Sequence, residues 1–171
     1  MKRTAITLVE LLVVTAIIGL LSAVAVTATT NANVKGRDAK RLGDKRAIIN
    51  ALNVYYSNNG SWPATNDNWV CFGAATTESC WTGSYNGLDA LKTAMAPYMT
   101  SSPTTGTMAG NNAYNRYLYM SSATNPVVNG LVGAALIWPK ENAITTSECP
   151  APSWIVKLDK YWYCYEYLGP P

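Results

Sequence analysis

The chain has 171 residues, with 13 basic and 10 acidic side chains, four cysteines and no histidine. This length suits one membrane helix and one modest soluble domain, because domains commonly run to about 100–150 residues. Without histidine, Ser-His-Asp and Cys-His catalysis are excluded, and no pair of carboxylates has a spacing that indicates acid–base chemistry. We therefore expect a protein that is not an enzyme.

The net charge of +3 is unevenly distributed along the chain. Lys2 and Arg3 precede an apolar run, and six more basic residues lie between positions 35 and 46. From Ala47 onward there are five basic residues and seven acidic ones, so the C-terminal body is weakly acidic. Because nucleic-acid binding needs clustered Lys and Arg, we predict no specific nucleic-acid partner.

Residues 6–26, ITLVELLVVTAIIGLLSAVAV, form an apolar run with Glu10 as its one charge. As a helix the run would be about 31 Å long, enough to cross a hydrocarbon core of about 30 Å. Lys2 and Arg3 before it predict a cytoplasmic N-terminus and an external body. A secretory signal peptide, with a weak cleavage site in the SAVA sequence at 22–25, is the alternative. The run is longer than a usual signal core, which favours the membrane helix.

Glu10 is the unusual residue of this run, because a carboxylate inside a membrane helix costs about 3 kcal/mol. One explanation is that Glu10 lies close enough to the helix end to reach water at the interface or to take up a proton. The other explanation is that a group in another molecule neutralises it.

The segment around Glu10 resembles the class III leader of type IV pilins and type II secretion pseudopilins. The resemblance rests on Lys2 and Arg3, the small residue Ala5, and the string ITLVE that follows. It implies that a prepilin peptidase cuts between Ala5 and Ile6 and that the new N-terminus at Ile6 is methylated. It makes Glu10 the fifth residue of the mature chain. The family almost always has glycine before the cut and phenylalanine or methionine after it, where this chain has Ala5 and Ile6.

The resemblance also implies a function and partners. Glu10 becomes an assembly residue, neutralised in the core of a helical filament by the charged N-terminus of Ile6 in an adjacent subunit. The implied partners are further copies of the chain, the prepilin peptidase, the inner-membrane assembly machinery and, before assembly, the membrane. The subunit would be a single-pass membrane protein first and part of an extracellular pilus, or a periplasmic pseudopilus, afterwards. No cofactor is implied.

A second apolar pattern predicts that the helix continues over residues 27–57. Its stripe consists of Leu42, Ile49, Leu52 and Tyr56. We interpret the charged residues between positions 35 and 46 as a solvated helix face with pairs at three and four residues' separation, rather than a site for anionic lipid or nucleic acid. Asn58-Asn59-Gly60 predicts the end of the helix near Ser57.

The four cysteines predict a disulfide framework formed in an oxidising compartment. Of three possible connectivities we favour pairing of nearest neighbours, Cys71 with Cys80 and Cys149 with Cys164. A structural zinc site is the weaker alternative, because the chain has neither a CxxC motif nor a histidine. We predict no bound metal. Cys149 and Cys164 are similar in position to the terminal disulfide loop of many type IV pilins.

We predict four segments in chain order: a leader at 1–5, a membrane and filament-core helix at 6–26, its amphipathic continuation at 27–57 and one globular domain at 58–171. The pattern of apolar and turn residues in the globular domain predicts a disulfide-closed loop at 64–85 and a short helix at 87–96. It also predicts strands at 114–120, 130–138 and 160–168, and a possible short strand at 154–156. The predicted fold class is α+β. A long N-terminal helix packs on a small antiparallel sheet, as the resemblance to pilins also implies.

The C-terminal strand region is rich in aromatic residues: Trp154, Tyr161, Trp162, Tyr163, Tyr165 and Tyr167. Such residues bind sugars or stack bases in some proteins, but we favour a role in the core and in cross-strand pairs.

Three filament functions remain open from the sequence. Major pseudopilins have a calcium site of aspartates near the C-terminus, where this chain offers only Asp159, Glu148 and Glu166. We therefore favour a structural pilin over a type II secretion pseudopilin. A minor pilin for adhesion or DNA uptake is the further alternative.

Overall fold

The computed structural model describes residues 7–81, 84–104, 116–124, 132–158 and 161–170. Within these residues the chain forms a long helix, a short helix and an antiparallel sheet, so the predicted α+β class is confirmed. The chain divides into two compact units, Met1–Gly36 and Arg37–Pro171. This boundary lies inside the amphipathic continuation predicted for residues 27–57.

The long helix α1 is continuous from Leu8 to Asn59, a length of 52 residues. The apolar run and the amphipathic segment are therefore parts of one element, as the sequence predicts. The helix ends slightly beyond the predicted Ser57. Gly60, with a φ of 71°, donates its backbone N–H to the carbonyl oxygen of Tyr56 at 2.8 Å and closes the last turn.

Seven strands and a second helix follow α1 in the described residues. They are β1 (Val70–Cys71), β2 (Ser79–Cys80), β3 (Tyr85–Asn86), α2 (Asp89–Met95), β4 (Leu118–Thr124), β5 (Val132–Lys140), β6 (Trp154–Leu158) and β7 (Tyr161–Gly169). Five strands form one sheet in the order β1-β4-β5-β7-β6, and β2 pairs with β3. The five strand pairs in the described residues are antiparallel, and Cys71 also forms an isolated parallel bridge with Gly87.

The predicted helix at 87–96 and the predicted strands at 130–138, 154–156 and 160–168 correspond to α2, β5, β6 and β7. The first residues of the strand predicted at 114–120 lie outside the described residues, and β4 begins at Leu118. The three two-residue strands β1, β2 and β3 lie where the sequence predicts a loop. Elements this short carry no readable alternation of polar and apolar residues.

The five-stranded sheet separates two apolar clusters, because successive residues of a strand point to opposite faces. The cluster shared with α1 includes Ile48, Leu52, Phe72, Tyr117, Tyr119, Leu136, Trp138 and Cys164. The cluster on the opposite face includes Cys71, Cys80, Trp81, Leu118, Ile137, Tyr161 and Tyr163. α1 thus covers one face of the sheet, and the segment of β2 and β3 covers part of the other face.

The buried stripe of α1 differs from the predicted one. Leu52 is fully buried as predicted, but the other residues that α1 buries in the apolar core are Ile48 and Ala51. Leu42 and Ile49 are only partly buried. Tyr56 is also partly buried, and all three residues pack against the same apolar cluster as Leu52. The buried face therefore includes the predicted stripe and extends around the helix to Ile48 and Ala51.

Both predicted disulfides are formed in the structure. Cys71 of β1 is bonded to Cys80 of β2, with a sequence separation of 9. Cys149, in the segment between β5 and β6, is bonded to Cys164 of β7, with a separation of 15. The first bond attaches the covering segment to the sheet edge, and the second attaches the segment after β5 to a central strand.

Replacing Cys149 and Cys164 together by alanine should lower the free energy of unfolding by about 3 kcal/mol, because closure of a loop of about 15 residues no longer restricts the unfolded chain. The same change at Cys71 and Cys80, which close a shorter loop, should cost slightly less. Urea unfolding of the full chain in detergent, followed by tryptophan fluorescence, measures both values. A loss below about 1 kcal/mol for the first pair would contradict the entropic argument.

Candidate assembly site

The first part of α1 presents an uncovered apolar surface. From Leu8 to Val26 every residue is exposed, and the large apolar side chains are 49–77% exposed. A contiguous apolar surface of this size marks a contact with a membrane or with another protein. By length and composition α1 is able to cross a membrane once.

The hydroxyl groups within and just after the apolar segment bond back to their own helix. Thr15 Oγ1 donates to the carbonyl oxygen of Leu12 at 3.0 Å, and Ser22 Oγ donates to that of Ile18 at 2.7 Å. Thr29 Oγ1 donates to that of Val26 at 2.9 Å. Such bonds satisfy polar side chains where no water is present, so these residues are compatible with an apolar environment.

Glu10 lies in the first turn of α1 and forms a capping box with Thr7. Glu10 Oε2 accepts hydrogen bonds of 2.8 Å from the backbone N–H and from Oγ1 of Thr7. In return Thr7 Oγ1 accepts a hydrogen bond of 3.3 Å from the backbone N–H of Glu10. The T-x-x-E spacing at 7–10 is the sequence signal for this motif, which is not among the features predicted above.

The Thr7–Glu10 motif gives Glu10 a role within its own chain, since it satisfies backbone groups at the helix start and places a negative charge near the positive end of the helix dipole. Its side chain is exposed, as an intermolecular contact requires. Ala5 and Ile6, the predicted cleavage and methylation residues, lie outside the described residues.

In the body, the buried side of α1 carries charged residues as well as apolar ones. Asp38, Arg41 and Lys45 are 4%, 0% and 7% exposed. They precede Ile48 and Leu52 at alternating steps of three and four, which puts all five side chains on one side of the helix. The interpretation of this region as a solvated face is therefore wrong for Asp38, Arg41 and Lys45, because the segment after β5 and a glutamate of β7 cover them.

Five residues form what we call the polar clamp: Arg37, Asp38 and Arg41 of α1, with Glu141 and Asn142 after β5. Arg37 binds both carboxylate oxygens of Glu141 at 2.7 Å, and Arg41 Nη1 lies 2.8 Å from Glu141 Oε1 and 2.9 Å from Asp38 Oδ1. Asp38 also accepts the backbone N–H groups of Glu141 and Asn142 at 2.9 Å. Bidentate, charge-assisted bonds of this kind fix the orientation of both segments.

A second charged group lies one helical turn further along α1. Lys45 Nζ is 2.8 Å from Glu166 Oε2, donates to the carbonyl oxygen of Glu148 at 2.7 Å and lies 4.9 Å from the centre of the Trp138 ring. Trp138 Nε1 donates to the same Glu166 oxygen at 2.9 Å. Lys140 pairs with the Glu148 carboxylate at 2.7 Å. These contacts join α1 to β5, β7 and the segment between β5 and β6.

Two carboxylates of these groups, Glu141 and Glu148, have a lowered pKa. Burial alone would raise the pKa of Glu141, but hydrogen bonds from Arg37 and Arg41 outweigh it and the pKa is lowered. For Glu148, likewise, burial is outweighed by Lys140 and the Thr145 backbone, so its pKa is also lowered. Glu141 and Glu148 are therefore charged at neutral pH.

Comparison of this chain with protein-family models, with curated proteins and with solved structures finds no match.

Arg41→Ala should lower the free energy of unfolding by about 3 kcal/mol or more, because removing one member of a buried ion pair leaves the other charges uncompensated. Lys40→Ala is the matched control. Lys40 is the adjacent cation, its side chain is 58% exposed, and it pairs with Asp44 at 2.6 Å. Such exposed pairs are worth about 1 kcal/mol or less. Equal losses for the two variants in urea unfolding would show that the clamp does not hold α1 in the body.

Proposed function

We propose that this chain is the structural subunit of an extracellular type IV pilus filament. A prepilin peptidase would process it between Ala5 and Ile6, and it would assemble through the first part of α1. The observation that carries the proposal is the uncovered apolar surface from Leu8 to Val26. In the membrane, lipid covers this surface, and in a filament the same surfaces of neighbouring copies cover one another.

The second support is the combination of this helix with a body suited to the outside of the cell. The body contains two disulfides, which persist in oxidising compartments. Lys2 and Arg3 before the helix favour the orientation that exports the body. A filament subunit needs this arrangement, because the helix must leave the membrane while the body keeps its fold.

The role proposed for Glu10 follows from the cost of a buried charge. In the dry core of a filament its carboxylate would be neutralised by the N-terminal amine of Ile6 in an adjacent subunit, which fixes the axial stagger of the copies. A mispaired subunit would bury both charges without partners. The Thr7–Glu10 capping box would hold the carboxylate at the helix start until that contact forms.

A type II secretion pseudopilin is the second candidate. Its calcium site would have to use acidic residues near the C-terminus, and two of these already form salt bridges with lysine side chains. Glu148 pairs with Lys140, and Glu166 pairs with Lys45. Asp159 lies outside the described residues. This pairing favours the pilus subunit, while a minor pilin for adhesion or DNA uptake is an alternative within the same class.

The processing step is tested by the mass of the N-terminal peptide, from protein made in its native host and collected from sheared extracellular material. We expect a peptide that begins at methylated Ile6, because that product requires both cleavage after Ala5 and export. A peptide that begins at Met1 and is found only in the membrane fraction would overturn the proposal and identify an uncut, anchored domain.

Glu10→Gln should lower the yield of sheared filaments at least about tenfold without preventing membrane insertion, because the amide cannot neutralise the amine of Ile6. Glutamine keeps the capping box, since Gln serves at this position as well as Glu. The variant therefore separates the charge of Glu10 from its role at the helix start.

Thr7→Ser is the matched control and should assemble normally, because it keeps the hydroxyl of the capping box. Immunoblots of the sheared and membrane fractions compare the variants. Normal filament yield from Glu10→Gln would refute the charge pairing, and Glu10→Ala would then show whether the capping box alone matters.

A further inference from the structure

The face of the sheet opposite α1 carries a row of half-buried aromatic side chains. We call Trp69, Tyr85, Tyr165 and Trp154 the aromatic row. Three of them pack against the apolar cluster on that face, and Trp154 lies beside Tyr165 on the neighbouring strand β6. By contrast Tyr161 and Tyr163 are buried, as the structural interpretation of the C-terminal aromatics predicts.

Contacts between the rings hold the row in place. Trp154 stacks on Tyr165, with ring centres 4.8 Å apart and planes at 15°. Trp69 meets Tyr165 edge to face, at 6.3 Å and 89°. Tyr85 packs edge to face against the buried Trp81 at 6.1 Å. Burial, and then the charge of the nearby Tyr85, raise the pKa of the Tyr165 phenol. The row is therefore a fixed surface with its rings only partly covered.

A surface cavity of about 420 Å³ adjoins the row at Trp69 and Tyr85. Its described lining residues are Asp67, Asn68, Trp69, Val70, Ser84, Tyr85, Asn86 and Gly87. Of these only Asp67 is charged, and Asp67, Asn68, Ser84 and Asn86 are exposed. The cavity thus combines two aromatic rings with a carboxylate, two amides and a hydroxyl.

We propose that the cavity and the aromatic row form a binding site for a neutral oligosaccharide. The C–H face of a pyranose ring is flat and apolar and packs on an aromatic ring, while its edge of hydroxyl groups needs donors and acceptors in one plane. Trp69 and Tyr85 supply the rings. Asp67 Oδ1 already accepts from Ser122 Oγ, and Asn68 Nδ2 already donates to the carbonyl oxygen of Asn66. The second carboxylate oxygen of Asp67, the amide oxygen of Asn68 and the amide of Asn86 therefore supply the polar partners. The Tyr165–Trp154 stack extends the surface for a second sugar unit.

The same observations disfavour two other ligands of aromatic surfaces. A nucleic acid would need cations near its phosphates, whereas the one charge among the described lining residues is the acid Asp67. A proline-rich peptide inserts its rings into gaps between parallel aromatic side chains. Trp154 and Tyr165 are in direct stacking contact, so no such gap exists between them.

The test is a titration of the full chain, held in dodecyl-dimethylamine oxide micelles because this detergent has no sugar headgroup. The probes are maltose, cellobiose, lactose and N,N′-diacetylchitobiose, and tryptophan fluorescence follows binding. We expect at least one probe to bind with a Kd of about 1 mM or tighter. Failure of all four at about 10 mM would overturn the proposal. Binding of a hexaproline peptide in their place would overturn it in favour of a peptide site.

Variants at Trp154 and Trp69 separate stacking from simple burial. Changing either residue to leucine keeps an apolar side chain but removes the flat ring, and should weaken binding at least about tenfold. Changing either to tyrosine restores a ring and should keep the Kd within about threefold.

Trp162→Leu is the matched control, because Trp162 is a half-buried tryptophan of β7 on the α1 side, with Lys157 5.4 Å from its ring centre. It should leave the Kd unchanged. Thermal unfolding of each variant shows whether the fold is intact. Equal Kd values for the original chain and the two leucine variants, with the fold intact, would show that the aromatic row is not the site.

Discussion

The apolar surface that α1 leaves uncovered between Leu8 and Val26 determines the environment in which this protein is stable. A surface this large is not stable in water, so a lipid bilayer or other protein chains must cover it. The backbone of a single helix has no unpaired groups along its interior, and its hydroxyl side chains bond back to the helix. The same segment is therefore suited to lipid and to a dry protein core, as a subunit that moves from a membrane into a filament requires.

In the proposed assembly, Glu10 would have a hydrogen-bonding partner in both environments. Within the chain it completes the first turn of α1 through Thr7, so the carboxylate has hydrogen-bond donors before any partner arrives. In the proposed filament the same carboxylate acquires a counter-charge from a neighbour. The capping box lowers the cost of carrying an acid at the edge of an apolar segment, and the proposed intermolecular contact would make that acid selective for one stagger.

The body uses two kinds of chemistry on the two faces of one sheet. On the α1 face, Arg41 and Lys45 form buried ion pairs, and Ile48 and Leu52 further along the helix pack in the apolar core. Ion pairs need matched partners at fixed distances, so they orient the helix more strictly than apolar contacts do. On the opposite face the disulfide-linked segment covers only part of the sheet, and the aromatic row remains available to a ligand. The contacts that hold α1 and the proposed sugar site thus lie on opposite faces of the sheet.

The amino-acid sequence determined the elements whose pattern is local. The length of α1, the helix α2, the strands β5 and β7 and the nearest-neighbour disulfides all follow from periodicity, turn residues and cysteine spacing. Only the tertiary structure decided which face of α1 is buried. The sequence predicts a solvated position for Asp38, Arg41 and Lys45. Their partners Glu141 and Glu166 are about a hundred residues away, so no local pattern indicates that they are buried. The tertiary structure also decided that Trp69 and Trp154 both contact Tyr165, since the sheet brings together side chains that no local pattern connects.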